Sequence, residues 1–263
     1  MFEIKGKVGL VTGGTSGIGL AISRELLEMG LKGIVLVGLN VDLGMKVLEE
    51  LRREFGDNKV LFVKADVRQK DELEDAFKVA VSTFKNLDIV VNSAGILKNK
   101  RIEDTIDINL KGTIFSATLA FEYYLPKYKS GTEGVILNVA SITGLEPFDS
   151  IPIYASTKWA VVGFTRSLGT ERQYMRNNIK VLAICPGFTT TPILDFDEDT
   201  LLNSNYVEIY KSVTNSVIFQ PASHVGKAAA FIVSQGKSGS MWVIKENQPI
   251  YEAKFEDRKL CIG

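Results

Sequence analysis

Seven short apolar runs, separated by stretches of helical spacing, constrain this chain more than any other feature. They are VGLVT (8–12), IVLV (34–37), VLFVK (60–64), DIVVN (88–92), GVILNVA (134–140), KVLAIC (180–185) and MWVI (241–244). Most are apolar throughout rather than alternating, the pattern of strands buried on both faces of a parallel sheet. Helix-period segments lie between them. DLGMKVLEELRREF follows the second run, with Asn40 or Asp42 as cap, and DELEDAFKVAVSTF follows the third. TIDINLKGTIFSATLAFEYYL follows the fourth and YASTKWAVVGFTRSLGTERQY the fifth. This βαβαβα order predicts an α/β fold, one doubly wound sheet of about seven parallel strands with helices on both faces. No linker, low-complexity tract or repeat interrupts it, so a single domain over 1–263 is expected.

Composition narrows the function classes. Of 263 residues, 45% are hydrophobic and 24% charged, as in an ordinary globular protein. Lys plus Arg equals Asp plus Glu at 31 each, so no global charge favours nucleic acid or an anionic membrane. The two cysteines, Cys185 and Cys261, form neither a disulfide framework nor a metal pattern. No signal-peptide pattern opens the sequence and no apolar run is long enough to span a bilayer, so a cytoplasmic protein is expected.

The first strand runs into TGGTSGIG (12–19). Gly13, Gly17 and Gly19 would let the backbone turn tightly and approach a ligand. A helix starting there would aim free N–H groups and a positive dipole end at a pyrophosphate. Three residues, not one, separate Gly13 from Gly17, so the spacing is not GxGxxG.

YASTK places Tyr154 and Lys158 at i and i+4, on one helical face. A free tyrosine is a poor base at neutral pH, and a nearby ammonium favours its phenolate, so the pair suits proton removal from an alcohol. Ser141, thirteen residues earlier at the end of the fifth strand, could hold a substrate oxygen beside the tyrosine. NSAG (92–95) ends the fourth strand with small residues. Asn109 falls inside the next helix, either as a satisfied buried amide or as a polar relay.

Together these motifs resemble the short-chain dehydrogenase/reductase family over nearly the whole chain. TGGTSGIG is similar to its cofactor turn, Asp66-Val67 to its adenine contact, NSAG to its NNAG motif and CPGFTTTP to its PG turn. Asn109, Ser141, Tyr154 and Lys158 match its tetrad. The resemblance implies a Rossmann-type fold and hydride transfer between a secondary alcohol or ketone and the nicotinamide C4. Tyr154 would be the acid/base, Lys158 would lower its pKa and bind the nicotinamide ribose, Ser141 would bind substrate oxygen, and Asn109 would hold a relay water. Cofactor contacts are implied for Thr12, Gly13, Thr15, Ser16, Gly17, Ile18 and Gly19 in the turn, and for Gly38 and Asn40 after the second strand. They are also implied for Asp66, Val67, Asn92, Ala94 and Gly95, and for Pro186, Gly187, Thr189 and Thr191 at the nicotinamide. No metal site is implied.

GILKNKRIEDTIDINLKG and SGSMWVIKENQPIYEAKF are similar to the branch of insect-type alcohol dehydrogenase and 15-hydroxyprostaglandin dehydrogenase, which implies NAD. At Gly38, nineteen residues after Gly19, NAD users of the family usually carry an aspartate that repels a 2′-phosphate. The acid is missing, and so is a basic clamp, since Leu39 follows and Ser16 is not basic. NAD is expected, with weaker discrimination against NADP than an aspartate would give.

The stretch 189–222 is long for a connection, as a lid or binding loop would be. Its apolar residues, among them Ile193, Leu194, Phe196, Leu201, Tyr206, Tyr210 and Phe219, with Pro147 and Phe148, could wall an apolar substrate pocket; for most, packing of the segment onto the body is the plainer role. The run Asp195, Asp197, Glu198, Asp199 reads as a solvated helix start. Trp159 and the helices after the fourth and fifth strands resemble the family's dimer faces, implying a homodimer or homotetramer. The expected partner is a small alcohol or ketone, with no nucleic acid and no membrane. An NADP-dependent carbonyl reductase, or a non-catalytic ligand-binding or storage member of the family, are the competing functions.

Overall fold

The structure, a computed structural model, describes residues 1–215 and 217–255; Cys261 lies outside them. The described residues form ten strands: β1 (Val8–Thr12), β2 (Gly33–Gly38), β3 (Val60–Lys64), β4 (Ile89–Asn92), β5 (Gly134–Val139), β6 (Ile179–Pro186), β7 (Thr189–Thr190), β8 (Gln220–Pro221), β9 (Met241–Ile244) and β10 (Tyr251–Glu252). Eight form the main sheet in the order β3-β2-β1-β4-β5-β6-β9-β10. Seven are parallel, as the apolar runs predict; the eighth, β10, is antiparallel to β9. Its two exposed residues, Tyr251 and Glu252, are too few to make an apolar run, which is why the pattern misses it. β7 and β8 pair separately, joining the two ends of the 189–222 stretch.

Helices cover both faces: α1 (Gly17–Glu28), α2 (Val41–Phe55), α3 (Lys70–Phe84), α4 (102–128), α5 (Pro152–Leu168), α6 (Glu171–Asn177), α7 (Ser204–Thr214) and α8 (Ala222–Gln235). Alternate residues of each central strand feed the two layers. Val11 joins Ile22 of α1, Leu51 of α2 and Val225 of α8, whereas Leu10 joins Phe77 of α3 and Phe121 of α4. That division explains why the strands read as unbroken apolar runs. Asn40 caps α2, accepting from Leu43 N at 2.9 Å. Among the described residues no helix is long and apolar enough to cross a membrane.

Two expected helices differ in detail. The segment beginning YASTK is not one helix: α5 stops at Gly169 and α6 starts after Thr170. Gly169 packs directly on the Gly239 backbone, where a side chain would not fit and a straight helix could not pass. α4 is continuous but winds with the wider i→i+5 hydrogen-bond pattern over Asp107–Gly112 and Leu119–Tyr124. Such widened turns concentrate at functional positions, and the first contains Asn109.

The strand order reverses at β1, which pairs with β2 on one side and β4 on the other. The crevice outside the carboxyl ends of β1 and β4 is where ligands bind in open α/β sheets.

Candidate active site

The glycine turn closes onto that crevice because it lacks side chains. Gly13 has φ 64°, and a Cβ there would lie 2.8 Å from Ala94 Cα. A Cβ on Gly19 would overlap the Gly13 carbonyl oxygen. The turn thus lies flat against the end of β4 and presents backbone, with α1 starting at Gly17, as a phosphate cradle requires. Gly19→Ala is therefore expected to destabilise the chain by about 2 kcal/mol through overpacking. Its dinucleotide affinity should fall by about tenfold or more. Denaturation midpoints and a fluorescence titration check both; unchanged affinity would mean that this turn holds no pyrophosphate.

Beside the turn lies a cavity of about 340 Å³, lined at once by Gly13 to Gly19 residues, by Ser141, Tyr154 and Lys158, and by Thr191. Ser141 follows β5, and its Oγ accepts from Thr143 N at 3.2 Å. Tyr154 stands in the first turn of α5, with Lys158 one turn on. Lys158 Nζ donates to Val139 O at 2.9 Å and lies 5.4 Å from the Tyr154 ring centre. Burial dominates the electrostatics. It raises the Tyr154 phenol well above its ordinary value, with a Ser141 hydrogen bond pulling weakly the other way. It pulls Lys158 down to about 8. Burial opposes the expected lowering of Tyr154 by the ammonium, because desolvation penalises the charged form of both groups. Cys185, buried behind them, is pushed up to about 12 by the same burial and is a packed thiol.

Asn109 does not face the cavity. Its Oδ1 accepts from Ile96 N at 2.8 Å, and its Nδ2 donates to Ile96 O at 2.9 Å and to Thr157 Oγ1 at 3.3 Å. It clamps the loop after β4 onto α4 and α5, the satisfied-amide reading.

The other cofactor candidates divide into two groups. Ser16, Ile18, Ala94, Gly95, Pro186, Gly187 and Thr189 line the cavity with the glycines. Thr12, Thr15, Gly38, Asn40, Asp66, Val67 and Asn92 do not. Thr12 Oγ1 accepts from Ser93 N at 3.2 Å, tying β1 to the end of β4. Asn92 Nδ2 donates to Asn138 Oδ1 at 2.8 Å, while its own Oδ1 has no partner. Both oxygens of Asp66 are taken by Arg68, whose guanidinium holds the carboxyl below its ordinary range. Val67 is buried against Gly112. At Gly38 a Cβ would lie 2.8 Å from Thr15 Oγ1: Thr15 fills the space where an acidic side chain would begin.

The far wall is apolar and includes Leu97, Ile151, Phe188, Ile193, Leu194 and Tyr210. Phe196 and Phe219 stay exposed, at 42% each, Phe196 meeting the Tyr210 ring at a tilt and Phe219 the Phe188 ring edge-on. The acidic run is not a helix start, since α7 begins only at Ser204 with Asn203 as its cap. Instead Asp197 pairs with Lys98 at 2.8 Å, which holds its carboxyl down at about 2. Among the described residues no group of three His, Cys, Asp or Glu is placed to hold a metal ion.

Lys98, Gln220 and Asn99 escaped the sequence reading. Lys98 lines the cavity, and Gln220 Nε2 holds the PG turn through Thr189 Oγ1 at 3.2 Å and Ile244 O at 2.9 Å. Both lie in stretches whose local composition marks them only as loops.

This fold and this placement of turn and side chains define a class, and a family model described as short chain dehydrogenase matches residues 7–201. The chain belongs to that oxidoreductase family. It is 38% identical to 15-hydroxyprostaglandin dehydrogenase (NAD(+)) of Rattus norvegicus over 262 residues, covering 98% of this chain and 97% of the relative. It is 29% identical to Fat body protein 2 of Drosophila melanogaster, over 94% of this chain and 95% of that one. Among solved structures it resembles 3-ketoacyl-(acyl-carrier-protein) reductase from Brucella melitensis complexed with NADH, at TM-score 0.76 and 26% identity. That match covers 92% of this chain and 98% of the other. L-sorbose reductase from Gluconobacter frateurii, complexed with NADPH and L-sorbose, gives a TM-score of 0.75 at 26% identity, covering 93% and 98%.

Proposed function

We propose that this chain is a single catalytic domain that oxidises an apolar secondary alcohol with NAD, the 189–222 segment walling the substrate. One observation carries the reading: the glycine cradle and the Ser141, Tyr154 and Lys158 side chains line a single cavity. A bound nicotinamide supplies C4 as hydride acceptor there. Ser141 Oγ–H donates to the substrate oxygen. The Tyr154 phenolate, stabilised by the Lys158 ammonium, takes the alcohol proton on Oη and becomes the neutral phenol. Asn109, through Ile96, holds the β4 loop against the cofactor's path. Leu97, Ile151 and Phe188 exclude water and favour an apolar substituent on the carbinol carbon. Incubation with NAD or NADP and a chain-length series of secondary alcohols, read as absorbance of reduced cofactor, tests this. Turnover confined to small polar alcohols would overturn the substrate class.

NAD is supported by the relatives named for it and by the end of β2, which carries no basic side chain. A second reading, NADP, is favoured by Lys64. It pairs in register with Gly38, is exposed, and forms no salt bridge among the described residues. Because Phe62 packs under α2 at Gly44, strand alternation puts Lys64 on the same side, beside the start of α2. Gly38→Asp combined with Thr15→Gly, which vacates the space, is expected to raise the NAD-over-NADP ratio of kcat/KM by about tenfold. Gly38→Asp alone should gain less, because Thr15 Oγ1 obstructs it. A ratio unmoved by the double change would take the ribose away from Gly38.

Exposed apolar residues on α4 and α5, Tyr123 and Trp159, support a homodimer or homotetramer as the assembly, and a cytoplasmic location is proposed with it.

A further inference from the structure

Asn99 lies in the loop after β4 and is fully buried. Both ends of its amide are used. Oδ1 accepts from the backbone N–H groups of Ile153 and Tyr154, at 3.0 and 3.2 Å. Nδ2 donates to Thr200 O at 2.9 Å. The first N–H groups of a helix need partners from outside it, and Ile151, at the start of α5, supplies no side-chain cap. Asn99 therefore does across the fold what a capping residue does locally.

The Thr200 side of this contact is a short interlocking strip. Asn99 N donates to Thr200 O at 3.1 Å and Lys100 N to Asp199 O at 3.1 Å. Lys98 pairs with Asp197, whose Oδ1 also accepts from Thr200 Oγ1 at 3.0 Å. The 195–200 stretch is thus fastened to the β4 loop, and Asn99 carries the hydrogen-bonded connection on to the turn bearing Tyr154, against which Leu201 also packs. If the 195–200 stretch moves away, Nδ2 is left buried without its acceptor, which is costly. The amide then has reason to turn, and the turn of Tyr154 loses its anchor.

We propose that Asn99 is a positioning residue that ties the segment walling the substrate to the helical turn carrying Tyr154, so that docking of 195–200 tightens the hold on the tyrosine. This deepens the dehydrogenase reading above and rests on it for the role of Tyr154. The two halves of the amide separate in variants. Asn99→Asp keeps the acceptor for Ile153 and Tyr154, at a helix N-terminus that favours negative charge, but loses the donor to Thr200. Asn99→Ala loses both.

Steady-state kinetics on the full chain with NAD and the best secondary alcohol, combined with peptide-resolved hydrogen exchange, tests this. Asn99→Ala is expected to lose about tenfold or more in kcat and to gain about tenfold in KM, with dinucleotide affinity unmoved. Asn99→Asp should show the same rise in KM with a kcat loss of only about threefold. Its exchange should quicken over 195–200 but not over 152–156. A purely structural amide would not give this split. Equal kcat losses in the two variants, or kcat and KM both unmoved in Asn99→Ala, would overturn the proposal. Should Asn99→Ala fail to fold, Asn99→Asp decides alone, an unchanged KM counting against. If the unaltered chain turns over no alcohol, the dehydrogenase reading falls. The coupling is then judged by exchange: faster exchange over 195–200 in Asn99→Asp supports it, and unchanged protection there overturns it.

Discussion

Tyr154→Phe is expected to lower kcat for alcohol oxidation by roughly a thousandfold, the scale of general acid–base catalysis, while leaving dinucleotide affinity within about twofold. The substitution removes one oxygen from a side chain that is otherwise packed with Leu97, Ile151 and Leu201, so the fold should be untouched. The pH dependence is equally specific. Burial raises the Tyr154 phenol, and the phenolate is the proton acceptor, so oxidation by the unaltered chain should climb as pH rises from neutral into the alkaline range. That limb should vanish in the variant. Activity surviving in Tyr154→Phe, or an oxidation rate that falls with rising pH, would remove the tyrosine from the reaction.

Lys158→Met is expected to trade activity for stability. Lys158 is buried, with its ammonium hydrogen-bonded to one carbonyl, and burial pulls its pKa from 10.5 down to about 8. The sign follows from proton counting. Below pH 8 the lysine is charged in both folded and unfolded chains, and the cost of burying the charge is fully present. Between about 8 and 10.5 the folded chain has released the proton and the unfolded chain has not, so stability rises with pH and the cost fades. Methionine carries no such cost. It should raise stability near pH 7 by about 1–2 kcal/mol, allowing for the lost hydrogen bond, and the advantage should shrink as pH approaches 10. Turnover should drop by roughly a hundredfold or more. Denaturant midpoints across pH check this; a destabilised variant at pH 7 would contradict it.

The seven parallel strands are legible because most are buried on both faces, which leaves an unbroken apolar run with little competing pattern. What local pattern could not carry was contact between distant backbones. The break after α5 is set by Gly239 pressing on Gly169, seventy residues apart in the chain. The widened turn around Asn109 likewise goes with its grip on Ile96. The candidate site divides in the same way. Tyr154, Lys158 and Ser141 stand out because their spacing along one helix and one strand end is itself the signal. At Gly38 the sequence shows only a missing acid; the structure shows that Thr15 fills its place and that Lys64 lies across the ladder. Asn99 carries no sequence signal, since a lone asparagine in KNK has the composition of any loop, and its partners Thr200 and Tyr154 are found only by folding.

The central claim is direct hydride transfer from a secondary carbinol to the nicotinamide inside this cavity. A secondary alcohol deuterated at the carbinol carbon, incubated with the protein and NAD, tests it most directly by mass and NMR analysis of the cofactor. The account expects one deuteron per turnover on C4 of the reduced nicotinamide, on one face of the ring, and none with Tyr154→Phe. Oxidised alcohol without label in the cofactor, or no label transferred from any secondary alcohol to NAD or NADP, would contradict it.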